Sequence, residues 1–199
     1  MRGSRKADAE NPRNPAEKPP KQQPANNSWR DAIREDSAPR NPQKIGLISD
    51  THGLLREEAL QALRGSELII HAGDVGDPEI LEALRKIAPV IAVRGNVDTA
   101  EWARALPETA VAEAGGVHIY VLHDVHALDL NARAAGFSIV VSGHSHKPSR
   151  SERDGVTYIN PGSAGPRRFD LPITVARLDL EARPWGMEFI DLEKGRTVK

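Results

Sequence analysis

The sequence predicts an α/β protein with two sheets packed face to face and helices outside. Three observations carry this expectation. From Lys44 onward, short apolar runs alternate with segments of helical spacing in the order β-α-β-α-β, which implies parallel strands joined by right-handed crossovers. The second half is richer in strands and is punctuated by Gly115-Gly116 and Asp154-Gly155, both hairpin signals. Finally, five of the apolar runs stop abruptly in Asp, Asn or His, at the strand ends where open α/β sheets place their ligands.

The elements follow in order. Lys44–Ser49 reads as a buried strand, and Arg56–Leu63 as a helix through the spacing of Ala59, Leu60 and Leu63. Leu68–His71 is a second strand. Asp77–Lys86 is a helix with Pro78 favourable at its first position. Val90–Val93 is a third strand and Thr99–Ala105 a short helix. Ala110–Glu113 and Val117–His123 form the first hairpin, Leu128–Ala135 a helix and Ser138–Ser142 a strand. Arg150–Glu152 and Val156–Ile159 form the second hairpin, and Ile173–Leu180 and Trp185–Asp191 the last two strands.

Residues 1–43 differ from the rest. They are rich in Pro, Asn, Gln and charged residues and nearly free of large apolar side chains, so they are expected to form a disordered tail ahead of a domain spanning 44–199. The tail holds nine Lys or Arg and six Asp or Glu, net +3; with a net charge of −1 for the chain, the domain carries −4. One amphipathic turn around Trp29–Arg34 is a candidate for docking on the domain. No global basic field points to nucleic acid. The chain has no cysteine, which excludes disulfides, thiolate nucleophiles and sulfur ligands and is compatible with a cytoplasmic protein. No apolar run approaches the roughly 20 residues of a membrane span, and the N-terminus lacks the apolar core of a secretory signal.

The strand ends supply Asp50 and His52, Asp74, Asn96, His123, and His144 with His146. Asp50 and His52 are two apart, so persisting strand geometry would aim both side chains the same way. Oxygen and imidazole ligands without sulfur suit a hard or borderline divalent metal such as Mn, Fe, Zn, Ni or Mg. Seven ligands exceed what one catalytic zinc uses; two metals sharing a carboxylate would use them all. A single such Asp or His is ordinarily a turn, cap or core residue, and His71 and His118 are assigned to that class.

The blocks ISDTHG, HAGDVGD, RGNVD, GHSHKP and NPGS resemble the calcineurin-like metallophosphoesterases, and more narrowly their small YfcE-type phosphodiesterases, over essentially Lys44–Leu192. The resemblance implies a four-layer α/β/β/α sandwich with a dinuclear metal site. Asp50, His52, Asp74 and His146 would hold one ion; Asp74, Asn96, His123 and His144 would hold the other, with Asp74 bridging. The implied activity is phosphodiester hydrolysis by a metal-bridging hydroxide on a small-molecule substrate, with manganese as the expected metal. The NPGS stretch would shape the rim, with backbone N–H groups facing substrate. A non-catalytic scaffold of the same fold, as in the retromer subunit, and a phosphomonoesterase are the alternatives. The complete ligand set speaks against the scaffold.

The sequence also departs from the family pattern. Where relatives acting on phosphoproteins place a general-acid His after the metal-bound Asn, this chain has Val97 and then Asp98. Asp98 is a candidate to orient Asn96 or a histidine, or a helix cap. Where subgroup members show His-Gly-His, it reads His123-Asp124-Val125-His126; His126 either swings into the site or faces solvent. Arg167 and Arg168 are candidates to clamp a phosphate, or are surface residues.

Overall fold

The computed structural model describes residues 41–198. The expected tail, apart from residues 41–43, and its amphipathic turn at Trp29–Arg34 lie outside the described residues. Two mixed sheets form the body. The first has the order β11-β10-β9-β1-β2-β3 and the second β4-β5-β6-β8-β7. In the first, β1 (Lys44–Ile48), β2 (Leu68–His71) and β3 (Val90–Ala92) are parallel. The strands β9 (Thr174–Asp179), β10 (Gly186–Asp191) and β11 (Arg196–Val198) extend it antiparallel. In the second, β5 (Val117–Leu122), β6 (Phe137–Val141) and β8 (Val156–Asn160) are parallel. Their edge neighbours β4 (Thr109–Ala114) and β7 (Ser149–Arg153) are antiparallel hairpin partners.

Alternation along the strands explains the layering. Ile45, Leu47, Leu68 and Ile70 from the first sheet meet Ile119, Val121, Ile139 and Val141 from the second in one buried core. The opposite face of β1 and β2, with Ile48 and Ile69, packs under two helices. These are α1 (Glu57–Ala62) and α2 (Pro78–Arg85). Asp77 caps α2 by accepting from the Glu79 N–H at 2.9 Å, Pro78 starts it, and Ile80, Leu81 and Leu84 bury one face.

Several expectations change. Leu128–Ala135 is not a helix: it runs in turns, tied by Ala135 N–H to Asn131 O, and Asn131 Oδ1 accepts from Ala134 N–H. Leu130-Asn131 offers a turn-forming side chain, and local bonding of this kind competes with helix. The segment still covers the outside of the second sheet, packing Leu128, Leu130 and Ala132 against Tyr120 and Val140. The short helix near Thr99 is a 3₁₀ helix over Glu101–Ala105, and a second 3₁₀ turn spans Val125–Ala127. The strand β11 had no alternating pattern to announce it. Residues 41–43 are tied to the domain: Gln43 donates to Glu67 and accepts from Leu180 N–H, and Asn41 accepts from Gly116 N–H. No helix among the described residues is long and apolar enough to cross a membrane.

Candidate metal centre

The parallel strands β1, β2, β3, β5 and β6 all end on one rim of the sandwich, and that shared polarity gathers the seven candidate side chains. The chain leaves β1 at Ile48, and Ser49, Asp50 and Thr51 are completely buried. Asp50 and His52 are not aimed by strand alternation. Both are left-handed, with φ of 54° and 47°, as are Asp74, His144 and His146. Such angles are uncommon for residues with side chains and cluster at functional sites. The turn is held by backbone bonds to the loop after β2: Asp50 N–H to Gly73 O, His52 N–H to Asp74 O and Gly53 N–H to Val75 O.

Two groups of donor atoms result. Asp50, His52 and His146 form one; Asp50, Asp74 and His123 form another. His146 Nε2 lies 3.3 Å from both Asp50 Oδ1 and His52 Nε2. Asp74 Oδ2 stands 3.8 Å from His52 Nε2 and 3.3 Å from His123 Nε2, between the groups. Asn96 Oδ1 is 3.1 Å from both His123 Nε2 and His144 Nδ1. All seven candidates therefore come together. Facing imidazole nitrogens and buried carboxylates with no sulfur are a donor set that fits hard or borderline divalent ions. The site also needs room: a Cβ on Gly95 would meet Asp74 Oδ1 at 2.0 Å, and one on Gly143 would meet Asp50 Oδ2 at 2.7 Å.

The electrostatics are those of a carboxylate-rich pocket. Burial works to raise the Asp74 pKa, but the His123 hydrogen bond and the Val97 N–H outweigh it and hold the carboxyl below its usual range. Burial likewise opposes charge on His123, yet Asp74 and the Ala72 carbonyl raise its pKa. For His52 burial wins over the attraction of Asp74 and Asp50, and the pKa falls.

The supporting residues are not those expected. Asp98 makes no hydrogen bond to Asn96 or a histidine and caps no helix. Its buried carboxylate accepts from the N–H groups of Val75, Gly76 and Gly95, fastening the loop after β2 to the loop after β3. The NPGS stretch is buried, not a rim. Gly162 N–H is taken by Asn160 Oδ1, Ser163 Oγ donates to Asp50 O, and Ala164 N–H donates to Ser49 O. These bonds brace the Asp50 turn and leave the Gly162 and Ala164 N–H groups unavailable to a substrate. His71, fully buried, has its pKa lowered to about 4 by desolvation and pairs with Thr51 Oγ1 at 3.0 Å. His118 is exposed on β5.

His126 is exposed, with its backbone N–H donated to Asp124 Oδ1, so it takes the solvent alternative. Arg167 turns away to pair with Glu193 and to donate to Leu171 O, so it is not free to clamp a phosphate. Arg168 is close enough to His52 for its charge to lower that pKa. Asp124, not singled out in the sequence, places Oδ2 3.9 Å from His144 Nε2. A cavity of about 760 Å³ opens beside Asn96, His123, Asp124 and His144, with Arg94 and Arg104 on its wall.

The comparisons agree with this geometry. Residues 44–183 match the calcineurin-like phosphoesterase superfamily domain. A protein of Methanothermobacter thermautotrophicus called "Probable metallophosphoesterase" is 34% identical over 150 residues, covering 69% of this chain and 87% of that one. The phosphodiesterase YfcE of Escherichia coli is 28% identical over 166 residues, 68% of this chain and 87% of its own. Among solved structures, Vps29 of Chaetomium thermophilum superposes with a TM-score of 0.65 at 21% identity, covering 78% of this chain and 92% of that one. With the motifs in order, the sheets in register and the Asp and His groups gathered at one rim, the chain belongs to the calcineurin-like phosphoesterase superfamily.

Proposed function

We propose that this protein is a phosphodiesterase dependent on two divalent ions. The observation that carries the reading is Asp74: one carboxylate oxygen is locked by Val97 N–H at 3.0 Å, and the other stands between His52 and His123. In this reading Asp50, His52, Asp74 and His146 hold one ion, and Asp74, Asn96, His123 and His144 the other. Bound there, such ions supply Lewis acidity toward a phosphoryl group and lower the pKa of water. The chain's own residues do the rest. The buried Asp50 turn fixes two ligands before substrate arrives. Asn96 contributes an uncharged oxygen, which limits repulsion of an anionic substrate. Arg168, on the His52 side, adds positive charge for a phosphate oxygen. Val97 offers no acid–base group toward a leaving alcohol, so esters with good leaving groups suit this site. Preference for diesters is supported by the phosphodiesterases among its relatives. Manganese as the working metal and the cytoplasm as the compartment belong to the same proposal.

The test is elemental analysis of the purified protein, then chelator stripping and assay of an aryl phosphodiester and the matching monoester with added Mn²⁺. The diester is expected to be cleaved faster, and only after metal is restored. Losing a residue that merely orients a ligand costs about 10–100-fold in metal affinity or activity. Asp74→Ala, which removes a shared ligand, is expected to cost more than that. Equal inertness with and without metal, or full activity in Asp74→Ala, overturns the reading.

A further inference from the structure

His144 differs from the other three histidines of the centre. His123 is buried, and its Nδ1 donates to Ala72 O at 2.7 Å, which leaves Nε2 facing the site. His146 is buried, and His52 is largely so. The His144 side chain is 46% exposed, so packing alone does not set its ring. Its backbone is fixed, because the N–H is donated to the Asp50 carboxylate at 3.2 Å. Its ring is reversed relative to His123: Nδ1 faces Asn96 Oδ1 and Nε2 points away, toward Asp124. With Nδ1 given to the site, the ring's proton lies on Nε2 and needs an acceptor.

Asp124 is placed to be that acceptor. Its Oδ1 accepts the His126 N–H at 2.9 Å and caps the 3₁₀ turn over Val125–Ala127. That bond fixes the carboxylate and leaves Oδ2 on the His144 side, 3.9 Å from Nε2, a gap that a small ring rotation or one water closes. We propose that Asp124 is a positioning residue: it accepts the His144 Nε2–H and holds Nδ1 toward the point shared with Asn96 and His123. Asp124 does for His144 what the Ala72 carbonyl does for His123. The difference is that Asp124 acts from a side chain on the cavity wall, so the second metal position is adjustable from the solvent side. Partners that orient histidine ligands in this way fix the tautomer and raise the ligand's basicity.

This inference rests on the two-ion reading above. The experiment titrates Zn²⁺ into the chelator-stripped full chain by calorimetry, for the wild type, Asp124→Asn and Asp124→Glu. Asn keeps the capping oxygen but turns an amide donor toward the Nε2–H. Two binding events are expected in the wild type. In Asp124→Asn one event weakens by about 10–100-fold while the other is unchanged, and Asp124→Glu recovers part of the loss. Imidazole ¹⁵N spectra of the Zn²⁺ form are expected to show His144 protonated on Nε2 in the wild type. Thermal unfolding of the metal-free forms is expected to coincide, which separates positioning from folding. Two wild-type affinities in Asp124→Asn overturn the role of Asp124 and leave the metal centre standing. A wild type that binds no Zn²⁺ overturns both.

Discussion

Asp50 and His146 sit among buried groups with His52 beside them, whereas Asn96 and His144 are exposed and, with the buried His123, face a cavity of about 760 Å³. The first side is braced from behind. Ser163 and Gly165 bond the Asp50 carbonyl, and the Ser49 hydroxyl bonds the Asp50 carboxylate at 2.6 Å. The second side relies on Asp98 and on side chains at the cavity wall. A site of this kind divides its labour. In the two-ion reading, the closed side holds its ligands at fixed separations without help from substrate, as a preorganised site requires. In that reading the open side admits the substrate and gives up packing to do so. The largest effects of mutation on stability should therefore lie on the closed side and its fastenings, and the most selective effects on function on the open side.

Asp98 is a fastening that ties the loop after β2 to the loop after β3. Asp98→Ala leaves the N–H groups of Val75, Gly76 and Gly95 without their acceptor. An unsatisfied buried donor costs about 1–3 kcal/mol, partly relieved by entering water, so a loss of about 3 kcal/mol is expected in urea unfolding of the metal-free protein. A loss below about 1 kcal/mol would mean that the two loops are held by other contacts.

The same division explains what the sequence could and could not reveal. Apolar runs with sharp polar ends marked β1, β2, β3, β5 and β6, because a strand covered on both faces, even one half-buried like β3, leaves a continuous hydrophobic signature. The Gly-containing hairpins were equally plain, since Asp154 and Gly155 both adopt positive φ. The candidate ligands were legible because they follow those strands directly. Their aim was not: five left-handed residues, rather than strand alternation, turn them inward. Asp98 reads locally as a helix cap, and only the tertiary meeting of two loops gives it three donors. Asn160 reads as part of a rim turn, yet its side chain donates to Gly143 O and to Ser145 Oγ beneath the His144 and His146 loop. Arg167 and Arg168 are adjacent in sequence, and nothing local tells which one Glu193 captures.

Burial on the closed side also predicts acid sensitivity. His71 has a folded pKa of about 4 against 6.5 when unperturbed, chiefly through desolvation. Between those values the unfolded chain binds a proton that the folded chain does not, so stability falls as pH drops from about 6.5 toward 4. At 1.36 kcal/mol per unit, the loss from this one group is about 2 kcal/mol by pH 5. Urea unfolding of the metal-free protein at pH 7.5 and pH 5 measures it, with His71→Gln as the reference. If the variant and the wild type lose the same stability on acidification, His71 is not the sensor.

Truncating one histidine on each side tests the comparison directly. His146→Ala opens a buried position beside the completely buried Asp50 and is expected to reduce both metal content and the stability of the metal-free protein, the latter by about 1 kcal/mol. His144→Ala removes an exposed ring and is expected to reduce metal content alone, within about 0.5 kcal/mol of wild-type stability. Equal stability losses would show that the two sides are held alike.

The smallest effect is expected at the neighbouring arginines, and it separates a residue that faces the centre from one that does not. Arg168 acts electrostatically on His52, while Arg167 is engaged by Glu193 and Leu171. Both are exposed, so solvent screens their charges and each contribution is modest. Arg168→Ala is expected to raise KM for an aryl phosphodiester by about 3–5-fold, on the order of 1 kcal/mol, with kcat little changed and a weaker dependence on salt. Arg167→Ala is expected to leave KM unchanged, because the guanidinium it removes is already committed to Glu193 and to the Leu171 carbonyl. The reverse pattern would mean that the Glu193 pair opens when substrate binds and that Arg167 then swings toward the centre.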